Sequence, residues 1–202
     1  MRNKLIAAAV ALLAMFVAGI YVGYYKIPQP STVDPQIYFK TVFTPYVDGN
    51  ETVIAWLDEH QCSQSLYVAD YTYTAGETND RIVAVKTKYP RSDVEVLLDR
   101  SQTKSSAGSS EAPLIQKLRD SKIPVAIGTS PTHGAIMHEK FMICDMKWVL
   151  DGSFNYTDNA DFQANHINMN TTPSPTRARA FKEDWDKLNA FAHKKMKERG
   201  EE

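Results

Sequence analysis

Residues 138 to 155, His-Glu-Lys-Phe-Met-Ile-Cys-Asp-Met-Lys-Trp-Val-Leu-Asp-Gly-Ser-Phe-Asn, constrain the fold of this chain more than any other stretch. Met137 to Cys144 is apolar and β-rich, and Met146 to Leu150 is a second short apolar run after Asp145. The stretch therefore reads as two strands around a tight turn. Side chains two apart on a strand share a face, which puts His138 and Lys140 together and turns Phe141 and Ile143 into packing. Gly152-Ser153 then opens a turn where the backbone can approach a ligand closely, with Asn155 just beyond it. An imidazole, an ammonium, a hydroxyl and an amide gathered at one spot suit an oxyanion-rich group such as a phosphate.

The spacing H-x-K-x4-D-x6-G-S-x-N, at His138, Lys140, Asp145, Gly152, Ser153 and Asn155, resembles the HKD signature of the phospholipase D superfamily. Six fixed residues at ordinary usage recur by chance roughly once in ten million start positions. Ala135-Ile136-Met137 before the histidine, Tyr156-Thr157 after the asparagine, and a single motif in a short chain extend the resemblance. Together these features look most like the small Nuc-type endonucleases of that superfamily, over roughly residues 37 to 192.

The resemblance implies phosphodiester cleavage through a covalent phosphohistidine, with no metal and no other cofactor. His138 is then the nucleophile, a neutral imidazole suited to attacking an anionic diester. Lys140 and Asn155 would donate to the phosphate oxygens as charge develops, with the Ser153 hydroxyl as a helper. Asp145 completes the catalytic signature, shaping the hairpin and holding Lys140 rather than meeting substrate. A leaving oxygen needs a proton from a second acid, and the chain carries one complete motif. His193-Lys194-Lys195 repeats only H-x-K, while His60 and His133 lack the lysine. The resemblance therefore implies a homodimer sharing one active site across a two-fold axis. One position departs from the family pattern. Eleven residues after the motif asparagine, where relatives carry a glutamate that orients the catalytic histidine, this chain has His166, an uncharged second-shell substitute beside Asp161.

Composition narrows the partners. Of 202 residues, 23 are basic and 24 acidic. Setting aside Arg2, Lys4 and Lys26 of the N-terminal segment leaves 20 basic residues against 24 acidic, a net charge of −4. A broadly basic nucleic-acid binder is not indicated. Attraction of DNA or RNA would need a local patch, for which Arg177, Arg179 and Lys182 are candidates. Cys62 and Cys144 have no metal spacing, and both are expected as buried free thiols.

Residues 1–25 open with Arg2 and Lys4 and then run uncharged from Leu5 to Tyr25, as a signal peptide or a membrane anchor would. Either places the rest outside the cytoplasm. Residues 26–36 are a Pro-rich linker, residues 37–197 the catalytic domain, and residues 198–202 a polar tail. Strands are expected at Ile37–Phe43, Ser65–Tyr73, Val94–Leu98 and Ile123–Ile127, with helices at Glu51–Gln61, Asn79–Tyr89 and Ala112–Ser121. Residues 101–110 read as a Ser-rich loop, and Thr176 to about Lys197 as a long amphipathic helix. This order gives an α/β fold, a mixed β-sheet flanked by helices, with the motif at the carboxyl edge of the central strands. Function is then expected to be a metal-independent nuclease of low sequence specificity acting on nucleic acid. Two alternatives stand beside it: a membrane-anchored lipid hydrolase of phospholipase D or cardiolipin type, and a catalytically weak nucleic-acid-binding protein.

Overall fold

The computed structural model describes residues 38–103 and 111–201. The apolar segment 1–25, the linker 26–36 and most of the expected Ser-rich loop lie outside the described residues. No helix among those described is long and apolar enough to cross a membrane.

Among the described residues seven strands form one sheet: β1 (Phe39–Phe43), β2 (Ser65–Asp70), β3 (Asp93–Asp99), β4 (Val125–Gly128), β5 (Lys140–Cys144), β6 (Trp148–Gly152) and β7 (His166–Asn170). Their order is β1-β7-β6-β5-β2-β3-β4. β2, β3 and β4 are parallel to one another. β5 lies antiparallel to β2, and β6, β7 and β1 continue antiparallel from it. Helix α1 (Gly49–His60) leads from β1 into β2, helices α2 (Gly76–Lys88), α3 (Arg100–Thr103) and α4 (Ala112–Asp120) join the parallel strands, and α5 (Pro175–Glu198) closes the fold. The sheet is mixed because β2 and β3 are connected through crossover helices, whereas β5 and β6 are a hairpin.

Both faces of the sheet are covered, so the central strands read as nearly continuous apolar runs: β2 and β5 are buried along their whole length. On one face, Val53, Trp56 and Leu57 of α1 recur at helical spacing and pack with Ile82, Leu118, Val68, Leu98 and Met142. α1 starts where Asp48 accepts from Glu51 N and the Asp161 carboxylate accepts from Gly49 N and Asn50 N. It stops at Gln61, whose φ of 63° is left-handed. On the other face, Ala178, Trp185, Ala192 and Met196 of α5 cover Tyr67, Leu97, Phe141 and Ile143. Phe181 and Leu188 of the expected amphipathic stripe pack beside them. α5 comes so close to β4 that a Cβ at Gly128 would meet the Ala192 methyl at 2.7 Å, which reserves that position for glycine.

Cys62 and Cys144 form a disulfide, correcting the expectation of free thiols. Both residues are fully buried, with Cα atoms 5.0 Å apart. They are 82 positions apart in sequence, and sequence spacing carries no information about that approach. The bond ties the end of α1 to the last residue of the motif strand. Closing a loop of that length removes chain entropy from the unfolded state worth about 4 kcal/mol. Reduction, or the pair Cys62→Ala and Cys144→Ala, is therefore expected to lower unfolding free energy in urea by about 2–4 kcal/mol.

Candidate active site

The site lies at the edge of the sheet where β2 and β3 end and β5 begins. β2 and β5 are antiparallel with Asp70 opposite Lys140, so the carboxyl end of one parallel strand meets the start of the motif strand. The lysine and the aspartate share the face that carries Val68 and Met142, and both are buried. β5 itself starts at Lys140. His138, expected on that strand, lies in the segment before it and is exposed. The two residues meet all the same, since Lys140 Nζ donates to the His138 carbonyl at 2.8 Å. Tyr71, one residue beyond β2, faces both: its ring lies 4.7 Å from the His138 ring and 5.1 Å from the Lys140 ammonium.

Two buried carboxylates hold the ends of the motif. Asp99, the last residue of β3, accepts from Met137 N at 2.7 Å, one residue before His138. Asp70 accepts from Tyr156 N at 2.9 Å, one residue after Asn155. Both aspartates are completely buried. Asn155 Oδ1 is buried without a hydrogen-bond partner among the described residues, which marks an amide placed for more than packing.

Burial pushes the Asp70 carboxyl well above the usual carboxylate range, against the Tyr156 N–H and the Lys140 ammonium that favour its charged form. Burial lowers Lys140, while Asp70, Glu139 and Asp99 pull it back up. His138 is lowered by loss of hydration and then by the Lys140 ammonium, with Asp99 acting in the opposite sense. The imidazole is therefore neutral, and nucleophilic, at neutral pH.

The remaining signature residues divide. Ser153 N donates to the His166 carbonyl at 3.1 Å, His166 N donates to Ser153 Oγ at 3.1 Å, and Ser153 Oγ lies 3.2 Å from His166 Nδ1. His166 thus engages one of its two ring nitrogens, Nδ1, with Ser153. Asp161, beside it in sequence, is committed to the start of α1 and does not stand in for a carboxylate at His138. Gly152 is the last residue of β6, and a Cβ there would fall 2.1 Å from the His166 carbonyl oxygen. The close approach that requires this glycine is therefore strand to strand, not strand to ligand.

Asp145 is a correction. It sits in the β5–β6 turn with φ of 50° and accepts from Gln64 N at 2.8 Å and Ser65 N at 3.0 Å. Five residues of extended chain at about 3.4 Å each put it some 17 Å from Lys140. It shapes the hairpin but neither holds the lysine nor reaches the site. The expected basic patch is also reduced. Arg177 bonds to Val149 O, Asn170 Oδ1 and Asp151, and Lys182 pairs with Asp186 and lies over Tyr67 and Trp185. Asp70, Tyr71 and Asp99 were not among the expected site residues. Their signal was Asp at the carboxyl end of a β-rich run, twice.

Exposed aromatics lie at and after the end of β1, three strands from β5, and in the segment before β7. Phe43, paired with His166 at the start of β7, is 56% exposed, with Tyr46 at 90% and Phe162 at 82%. Their loops are stitched together: Thr44 N donates to the Asn165 carbonyl at 3.1 Å, and Asn165 N to Thr44 Oγ1 at 3.1 Å. Among the described residues no group of three His, Cys, Asp or Glu side chains is placed to hold a metal ion.

A family model described as "Cardiolipin synthase, PLD-like domain" matches residues 58–189. A phospholipase D of Rickettsia prowazekii is 26% identical over 209 residues, covering 91% of this chain and 92% of that protein. A mitochondrial cardiolipin hydrolase of Chlamydomonas reinhardtii is 29% identical over 126 residues, covering 62% of this chain and 52% of its own. Among solved structures, Nuc from Salmonella typhimurium, a phospholipase D family member, superposes with a TM-score of 0.66 at 22% identity, covering 77% of this chain and 96% of Nuc. NucT from Helicobacter pylori gives 0.58 at 20% identity, covering 76% and 98%.

The electrostatics at His138 are open to direct measurement. Its ring should titrate below 6.5, the ordinary histidine value, when followed by NMR. In Lys140→Met the midpoint should rise, because the nearest positive charge is gone while Asp99 remains.

Proposed function

This chain belongs to the family of PLD-like domains described for cardiolipin synthase and is a phosphodiesterase of the phospholipase D superfamily, and from that premise we propose that it cleaves nucleic acid through a phosphohistidine formed on His138. The observation that carries the reading is the meeting of His138, Lys140 and Tyr71 between the two aspartate-held chain segments. The lowered imidazole attacks phosphorus. Lys140 and Asn155 stabilise charge on the phosphate oxygens, and Ser153 supports them. The leaving oxygen takes its proton from His138 of a second copy of the chain, which carries that proton against the negative charge of the bound diester, so the active unit is a homodimer with one shared site. Water then attacks phosphorus and gives its proton back to that second imidazole, the N–P bond breaks, and the phosphate monoester leaves, restoring His138.

Nucleic acid is the first substrate because Phe43, Tyr46 and Phe162 are exposed, base-sized aromatic surfaces, and Phe43 ends a strand at the same sheet edge as Lys140, three strands from it, within the reach of a polynucleotide chain. Stacking on such surfaces accepts any base, which accounts for low sequence specificity. A lipid headgroup region is the second reading. The same aromatics would suit a membrane interface, and relatives of this chain carry the names phospholipase D and cardiolipin hydrolase. The disulfide suits an oxidising compartment outside the cytoplasm. Residues 1–25, whether signal or anchor, would deliver the domain there.

Plasmid DNA, single-stranded DNA and phospholipid vesicles offered separately in EDTA decide the substrate. Nicking of DNA without lipid turnover is expected, and lipid turnover alone establishes the second reading. Tyr46→Ser with Phe162→Ser should slow single-stranded DNA cleavage by about 10-fold or more at unchanged turnover of a small soluble phosphodiester, since each stacked base is worth about 1–3 kcal/mol. When wild type is mixed and exchanged with His138→Ala, activity should fall as the square of the wild-type fraction. A linear fall would contradict a shared site.

A further inference from the structure

His166, at the position where the resemblance implies an orienting glutamate, brings no carboxylate and engages Nδ1 with Ser153. No side chain replaces it by direct hydrogen bond to the His138 ring among the bonds described for this site. The ring is nevertheless flanked on one side by Tyr71, and the chain leading into it is held at Met137 N. Both restraints trace back to one buried carboxylate.

We propose that Asp99 is the positioning residue for His138, acting on it by two routes that start from its two oxygens. Through Oδ2 it accepts from Met137 N at 2.7 Å and fixes the backbone immediately before the histidine. Through Oδ1 it accepts from Ser101 N at 2.7 Å and from Ser101 Oγ. That second oxygen pins the start of α3, the short helix carrying Gln102. Gln102 Nε2 donates to the Tyr71 hydroxyl at 2.8 Å, and Tyr71 presents its ring to His138 at 4.7 Å. The histidine is thus held from its backbone by one oxygen and against its ring by the other.

The bracket also supplies charge. Asp99 is fully buried and accepts three hydrogen bonds, a coordination suited to a carboxylate. It raises the proton affinity of His138 against the combined effect of lost hydration and the Lys140 ammonium. An imidazolium that forms when the nucleophile is phosphorylated, or when its partner takes a proton, is therefore stabilised by a negative charge that does not touch the ring. Tyr71 contributes differently. Its π face lies 5.1 Å from the Lys140 ammonium, offering that cation an attractive surface without occupying it as a carboxylate would, so the ammonium stays open to a phosphate oxygen.

This inference rests on His138 being the nucleophile, so its test reads the ring separately from turnover. In the full-length chain, Asp99→Asn keeps the shape and removes the charge, while Tyr71→Leu and Gln102→Ala each break the ring-side route only. The His138 midpoint by NMR should fall in Asp99→Asn. kcat on a small soluble phosphodiester should drop on the order of 100-fold with KM little changed, as for a displaced catalytic group. Tyr71→Leu should broaden or shift the His138 ring signals and lower kcat, and Tyr71→Phe, which keeps the ring but loses the bond from Gln102, should match Gln102→Ala in both readouts. A folded Asp99→Asn with unchanged His138 midpoint and unchanged kcat overturns the proposal. Should Asp99→Asn not fold, unchanged ring signals and kcat in both Tyr71→Leu and Gln102→Ala overturn it instead. A wild-type protein without turnover would count against the nuclease reading alone, since the shift in His138 titration is still measured.

Discussion

Two carboxylates at the ends of neighbouring parallel strands hold the rest of the site together. Asp70 ends β2 and Asp99 ends β3, and each is spent on a backbone N–H of the motif region, at Tyr156 and Met137. Burying a carboxylate costs several kcal/mol unless donors satisfy it. Such a group therefore persists only where the surrounding chain supplies donors in fixed places. The parallel pairing of β2 with β3 puts Asp70 opposite Leu98, so the two acceptors end neighbouring strands and point to opposite faces of the sheet, and the loops carrying His138 and Asn155 must conform to them. The Tyr156 carbonyl extends the clamp, accepting from Thr74 N and Ala75 N at 2.9 Å each. A site built in this way is rigid on the enzyme side before any substrate arrives, which is the condition for stabilising a transition state rather than following it.

Much of this was legible in the residues because local periodicity and global fold agree. Apolar runs at Val94–Leu98 and around the motif became buried strands, and the stripe of Phe181, Trp185 and Leu188 became the inner face of α5. The motif spacing located the site edge, since a hairpin beginning at Lys140 must present that residue at one end of the sheet. The same geometry explains the failure at Asp145. A signature lists residues by sequence, and a strand of five residues carries its two ends to opposite edges, so Asp145 serves the fold at one edge while Lys140 serves the other. The cysteines failed for a related reason: a separation of 82 residues is silent about distance until β2 and β5 are paired. Asp70 and Asp99 were visible only as acidic residues closing β-rich runs. Nothing in the sequence alone says that two such ends are neighbours.

His166 shows how a departure from a family pattern is absorbed. The residue lies at the start of β7, touches Ser153, and needs Gly152 opposite it because the two backbones come so close. Its Nδ1 is directed to the serine hydroxyl. The negative charge that an imidazolium requires has to be found elsewhere among the buried groups, and the carboxylates beneath the site are the ones within electrostatic reach of His138 and Lys140.

Those carboxylates also constrain how a polyanionic substrate is recruited. Asp70, Asp99 and Glu111 are all buried beneath the site, and the groove beside the start of α1 is lined by Asp48, Glu51, Glu77, Asp158 and Asp161. Arg177 and Lys182 are engaged with their own partners. Long-range attraction of phosphates is therefore weak in a single copy of this chain, and affinity has to come from short-range contacts at the edge itself. For the proposed substrate, Lys140 would meet one phosphate, and the exposed rings of Phe43, Tyr46 and Phe162 would receive apolar or aromatic surface. Counterion release contributes little when few cations meet phosphates, so binding of this kind depends on salt less steeply than that of a basic nucleic-acid binder. Pairing two copies across a two-fold axis would double the lysines and the aromatic rims at one place, which gives dimerisation a role in holding substrate as well as in supplying the second imidazole.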